Sequence, residues 1–139
     1  SNIMMVGKKL GVVDTQDAII GNPAYDLASL IDDVRLNIPL NMKNKIFDYY
    51  VKKNFLTKKE VIKFKNDFDI LSVQRNLKIL GIFYRLFKRD KKPRYLKMIP
   101  STWRLIEFRI KNKIFNNLRP QLNSIVSAAQ RKKDLFYEN

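Results

Sequence analysis

Thr57-Lys58-Lys59-Glu60 opens the most constraining stretch of this chain. Beyond it, apolar residues return at Val61, Phe64, Phe68, Leu71, Leu77, Leu80, Tyr84 and Phe87. Steps of three and four, with one gap, place them along one side of an α-helix. The first four residues form a capping box: the Thr57 hydroxyl accepts from the Glu60 amide while the Glu60 side chain reaches back. Gly81 interrupts the pattern at about 1 kcal/mol relative to Ala, which predicts close packing or a bend there.

The rest of the chain after Pro23 reads as helical too. Leu27, Leu30, Ile31 and Val34 form one stripe within 24–36, and Pro39 ends it. Asn41 is placed to cap a second helix whose apolar face is Met42, Ile46, Tyr49 and Tyr50. Lys91-Lys92-Pro93 breaks the long pattern. Pro100-Ser101 starts another helix, with Trp103, Ile106, Ile110 and Ile114 on one face. Pro120 suits the first turn of a last helix over 121–133, followed by a polar tail expected to fray.

Only the start departs from this. Ile3-Met4-Met5-Val6 and Leu10-Gly11-Val12-Val13 flank Gly7-Lys8-Lys9, a β-hairpin signature. Both runs are apolar throughout, so both faces are expected to be covered, and an isolated hairpin must pack on something to persist. The predicted fold class is mainly α, a short hairpin followed by about five helices. At 139 residues the expectation is one domain, or a large piece of one.

Composition removes whole classes of chemistry. The chain has neither cysteine nor histidine. Disulfides, thiolate metal sites, His-based general bases and Ser-His-Asp triads are therefore excluded. No apolar run reaches the ~18 residues a membrane span needs, and no signal peptide is visible. A cytoplasmic protein with no membrane partner is the expectation.

Charge is placed unevenly. Residues 1–50 carry five Lys/Arg against six Asp, whereas residues 51–139 carry 23 basic residues against seven acidic ones. A basic half suits nucleic acid or another polyanion. With 19 Lys against 9 Arg spread along helices, solvated helix faces are the simpler reading, and nucleic acid is not expected as a partner.

The acidic start sharpens the question. Asp14, Asp17 and Asp26 follow the second strand with no basic residue between them. A carboxylate ending a buried apolar strand needs compensation, and a hard cation such as Mg²⁺ supplies it through oxygen ligands. In a hairpin turning around Lys8, Asn2 and Asp14 can face each other across its open end. Ordinary loop capping by both residues is the other reading that this spacing allows.

Asp14-Thr15-Gln16-Asp17-Ala18 and Gly21-Asn22-Pro23-Ala24-Tyr25-Asp26-Leu27-Ala28 resemble the metal-binding segment of the aminoglycoside phosphotransferase (choline-kinase-like) family. Ser1-Asn2-Ile3-Met4 resembles the end of that family's catalytic loop. Gln74-Arg75-Asn76-Leu77-Lys78-Ile79-Leu80-Gly81-Ile82-Phe83, then Arg85-Leu86, Arg89-Asp90 and Lys92-Pro93-Arg94-Tyr95-Leu96, is similar to bacterial kinases acting on N-acetylmuramate and N-acetylglucosamine at the anomeric position. The resemblance runs from Asn2 to about Trp103.

It implies the C-terminal lobe of a protein-kinase-like fold, with ATP and Mg²⁺ as co-substrate and cofactor and an aminosugar as acceptor. Asn2 and Asp14 would be the metal ligands, Asp17 would support them, and Asp26 would brace the catalytic loop. Thr15 stands where the family has Phe, a packing position. Arg75, Lys78, Arg85 and Arg89 become candidates for sugar or phosphate contacts. The catalytic base, an Asp five residues before the Asn, would fall before Ser1, and the nucleotide-gripping lobe further upstream, in the same or a separate chain. The chain alone is then expected to be inactive. The rival expectation is a non-catalytic basic helical module that binds nucleic acid or a partner protein.

Overall fold

In the computed structural model, residues 3–13 and 20–132 are described. The mainly α expectation holds. A two-stranded antiparallel hairpin, β1 (Ile3–Val6) and β2 (Lys9–Val12), precedes six α-helices among the described residues. These are α1 (Ala24–Ile31), α2 (Leu40–Lys53), α3 (Lys58–Lys88), α4 (Ile99–Arg109), α5 (Leu118–Ile125) and α6 (Ala128–Lys132). Short 3₁₀ segments, Pro93–Met98 and Lys113–Phe115, lead into α4 and α5. No helix of the described residues is long and apolar enough to cross a membrane.

The spine is α3. Its capping box forms as the sequence predicts, with the Glu60 amide donating to the Thr57 hydroxyl at 3.4 Å and the Thr57 amide donating to the Glu60 carboxylate at 2.8 Å. The helix then runs unbroken for 31 residues, about 46 Å. Gly81 does not mark close packing: a Cβ placed there would meet nothing within 4 Å.

Two hydrophobic cores form along this spine. Toward its start, Phe64 and Phe68 meet Ala24, Leu27, Ala28 and Ile31 of α1, a 0, 3, 4, 7 stripe. The half-buried face of α2 closes that core from the other side. Tyr50 stacks on Phe64 at 5.1 Å, and Phe47 meets Phe68 edge-on at 5.4 Å. Farther along, Val73 joins Trp103 and Ile106 of α4 and Ile110 just past its end, with Phe115 and Leu122. Complete burial of a side chain such as Phe68 or Ile106 contributes roughly 1.5–3 kcal/mol.

Helix ends depart from the sequence reading for local reasons. The first helix stops at Ile31, because Asp32 turns inward and Asp33 accepts the Arg35 amide in a tight turn at 2.9 Å. The second starts at Leu40 with Pro39 in the cap position, while Asn41 accepts only the Met42 amide at 2.8 Å. α4 ends at Arg109, so Ile114 lies beyond its face and is exposed. The expected last helix is two: Val126 is extended, and Ser127 and Gln130 exchange side-chain and backbone bonds to start α6.

The hairpin overturns one expectation. Ile3 pairs with Val12 and Val6 with Lys9 around Gly7, whose φ of +63° gives the primed-turn geometry. Yet Met5, Val6, Leu10 and Val12 are all about two-thirds exposed, so neither face is covered by these helices. The apolar composition is real, but the described residues supply no layer to bury it.

Candidate functional site

The segment carrying Asp14 and Asp17 joins the hairpin to α1, and α1 is fastened at both ends. At its start, the Asn22 side chain accepts the Ala24 amide at 3.0 Å and donates to Asp67 of α3 at 2.9 Å. At its end, Asp32 is wholly buried and receives Arg109 of α4 through two bonds of 2.8 and 3.1 Å. Lys43 of α2 adds a bond of 2.9 Å to Asp32 and another of 2.8 Å to the Ile31 carbonyl. Ser72 of α3 donates to Asp32 at 2.6 Å. One carboxylate thereby ties four helices together.

Arg109 extends this web. It lies 3.5 Å from Asp69, which also accepts from Lys65 and, at 2.9 Å, from Asn112. Its guanidinium packs over Phe68 at 4.7 Å and Phe108 at 4.8 Å. Burial pushes the Asp32 carboxyl up, but the bonds and charge of Arg109, with Lys43 and Ser72, outweigh it and hold the group below the usual carboxylate range. This belt separates the two apolar cores and fixes how α1 meets α3 and α4.

The sequence-derived candidates divide among three situations. Asn2, Asp14 and Asp17 lie outside the described residues. They flank in sequence the hairpin end where Ile3 meets Val12. Asp26 is exposed in the first turn of α1, where a carboxylate suits the helix dipole, and makes no hydrogen bond among the described residues. Because β2 is exposed, strand burial gives no reason for a cation at Asp14, and that assignment rests on the motif. Among the described residues, no group of three or more acidic, Cys or His side chains could hold a metal ion.

Arg75, Lys78 and Arg85 lie on α3 and Arg89 is its C-cap residue; a 3-4-3-4 rhythm through Ile82 puts the four on one side of the helix. Arg75 to Arg89 spans about 21 Å of helix. They are not equivalent. Arg75 is half-buried; one guanidinium nitrogen has no hydrogen-bond partner among the described residues, and its charge helps hold the Asp33 carboxyl down. The bond from Arg35 is the larger cause of that shift. Arg89 is engaged by Asp90 at 2.6 Å. Lys78 and Arg85 are exposed and make no hydrogen bond or ion pair among the described residues, so they remain available to an anion.

The sequence reading missed the web. Its legible signal was Arg109, which falls on the Trp103–Ile106–Ile110 face; a cation on a buried stripe demands a carboxylate partner.

With this geometry, comparison with known proteins narrows the reading. The chain is similar to bacterial N-acetylmuramate/N-acetylglucosamine kinases. It is 36% identical to the Pseudomonas aeruginosa protein of that name over 110 residues, covering 76% of this chain and 32% of the relative. For the Caulobacter vibrioides protein the figures are 34% over 95 residues, 68% of this chain and 26% of the relative. For that of Neisseria meningitidis serogroup B they are 33% over 103 residues, 71% and 31%. The chain thus spans a third or less of the length of these curated relatives. No family model matches it.

Proposed function

We propose that this chain is the mostly helical C-terminal lobe of an ATP-dependent sugar kinase, whose acceptor is an N-acetylated aminosugar phosphorylated at its anomeric hydroxyl. The observation that carries this reading is the 36% identity over 110 residues with an N-acetylmuramate/N-acetylglucosamine kinase. The Asp14-to-Ala28 motif supports it independently.

In this reading Asn2 and Asp14 hold Mg²⁺, and Asp17 supports them. When bound, the ion neutralises charge on the donor's phosphates. The helical body's own contribution is positioning. Asn22–Asp67 and Asp32–Arg109 hold α1 from both ends, which fixes where the acidic segment ahead of it must end. Asp26, in the same helix, would brace the catalytic loop. Lys78 and Arg85 offer point charge and planar donors to an anionic group on the acceptor or donor, with Arg75 and Arg89 flanking them. The catalytic base and the nucleotide-gripping lobe would come from sequence ahead of Ser1 or from a partner chain. Phosphoryl transfer is mostly positioning and electrostatics, so this lobe alone would not perform it. The intact enzyme would belong to cytoplasmic recycling of cell-wall sugars.

The test is Mg²⁺-dependent phosphate transfer from ATP to N-acetylmuramate or N-acetylglucosamine by the protein extended through the upstream lobe. Asp14→Ala and Asn2→Ala should each lower the rate by about a hundredfold or more. Near-normal rates in both variants would remove the ligand assignment; no transfer to either sugar by the unmodified protein would remove the acceptor class.

A further inference from the structure

The corner between α2 and α3 carries a residue that its backbone does not favour. α2 ends with the Phe55 amide bonded to the Lys52 carbonyl at 3.2 Å and the Leu56 amide bonded to the Val51 carbonyl at 3.3 Å. This pairing places Phe55 in the left-handed position after the helix cap, with φ of +52°. Glycine is the usual occupant there, and a bulky aromatic is strained. Packing does not explain the choice, since Phe55 is 90% exposed while Leu56 beside it joins the core.

Its surroundings are predominantly basic. Lys52, Lys53, Lys58, Lys59 and Lys63 are all exposed, with Glu60 the one acid between residues 49 and 63. Tyr49, 64% exposed, lies one turn before Lys53, whose ammonium sits 5.6 Å from its ring. None of the nine arginines falls in this stretch.

We propose that this corner docks on an anionic lipid surface, with Phe55 entering the headgroup layer and the lysines facing lipid phosphates. An aromatic amid cations is the chemistry by which soluble domains hold to such a surface. Lysines are depleted in protein–protein interfaces, where fixing them is entropically unfavourable, whereas a fluid headgroup layer leaves them mobile. Nucleic-acid recognition favours the planar, bidentate arginine that is missing here. The contact is peripheral and adds to the absence of a spanning helix rather than opposing it. It stands independently of the kinase reading.

The experiment is co-sedimentation of the full chain with vesicles of phosphatidylcholine plus phosphatidylglycerol, against phosphatidylcholine alone. Binding should require phosphatidylglycerol and weaken as salt rises. Phe55→Gly fits the left-handed backbone, so it should melt no lower than the parent chain while losing about tenfold in partition. Lys58→Gln with Lys59→Gln should lose at least as much, each lysine near such a surface being worth roughly fivefold. Equal binding to neutral vesicles, no binding to anionic ones, or unchanged partition of a folded Phe55→Gly chain overturns the proposal. So does a DNA duplex that displaces the chain from vesicles at matched phosphate concentration, which would make this corner a nucleic-acid surface.

Discussion

Ile31, Phe68 and Ile106 are wholly buried, whereas Met5, Leu10 and Val12, no less apolar, stand about two-thirds in solvent. The difference lies in what each segment has to pack against. A helical stripe on α1 or α4 finds α3 beside it, and the Asp32–Arg109 web holds the three in one arrangement. Among the described residues the hairpin has only its own two strands, and two strands have no interior. The helices therefore carry the stability. The hairpin, at whose open end the proposed metal-ligand motif sits in sequence, finds no covering layer among the described residues. In the proposed kinase that layer is the rest of the enzyme.

The largest effect should come from the web. Asp32→Asn leaves Arg109 and Lys43 buried beside a neutral amide and should lower stability by about 3–5 kcal/mol, read from urea denaturation of the chain. If it falls by less than 1 kcal/mol, the web is not what joins the cores. Acid should act on the same group. The folded Asp32 and Asp33 carboxyls lie below their unfolded values, so their contribution is full above about pH 4 and is lost as pH falls through the lower, folded values. A melting temperature that stays level from neutrality to about pH 5 and drops below pH 4 is expected, and Asp32→Asn should flatten that drop.

Smaller changes probe the uncovered surfaces. Gly81→Ala should stabilise the isolated chain by up to about 1 kcal/mol, because a Cβ there meets nothing. Lys91→Gly should add about 1 kcal/mol by relieving a non-glycine φ of +54° after α3. Leu10→Thr and Val12→Thr should move the melting of the helical body by less than about 0.5 kcal/mol, since nothing in the body contacts enough of them to notice. A large loss from either would mean that the hairpin and helices share a core after all.

The sequence made the elements legible wherever a local rule acted alone. The capping box of Thr57 and Glu60 and the turn at Gly7 appear as read. It misjudged places where side chains decide at a distance. α1 ends at Ile31 because Asp32 is drawn to Arg109, 77 residues away, and no periodicity carries that. Apolar composition likewise said that the hairpin wants burial but not whether this chain provides it. At the candidate site, the family resemblance named Arg75, Lys78, Arg85 and Arg89 as candidates for sugar or phosphate contacts. Only the structure separates the exposed Lys78 and Arg85 from Arg89, which Asp90 already holds.

Amide hydrogen exchange on the isolated chain tests the division of labour most directly. The account requires the slowest exchange in α3 and α4 around Phe68, Val73 and Ile106, with the amides of Met4 and Gly11, a hydrogen-bonded pair of the hairpin, exchanging near the rate of unstructured peptide. Protection at Met4 and Gly11 matching that of α3 would contradict it, because the hairpin would then be part of the core that the helices form.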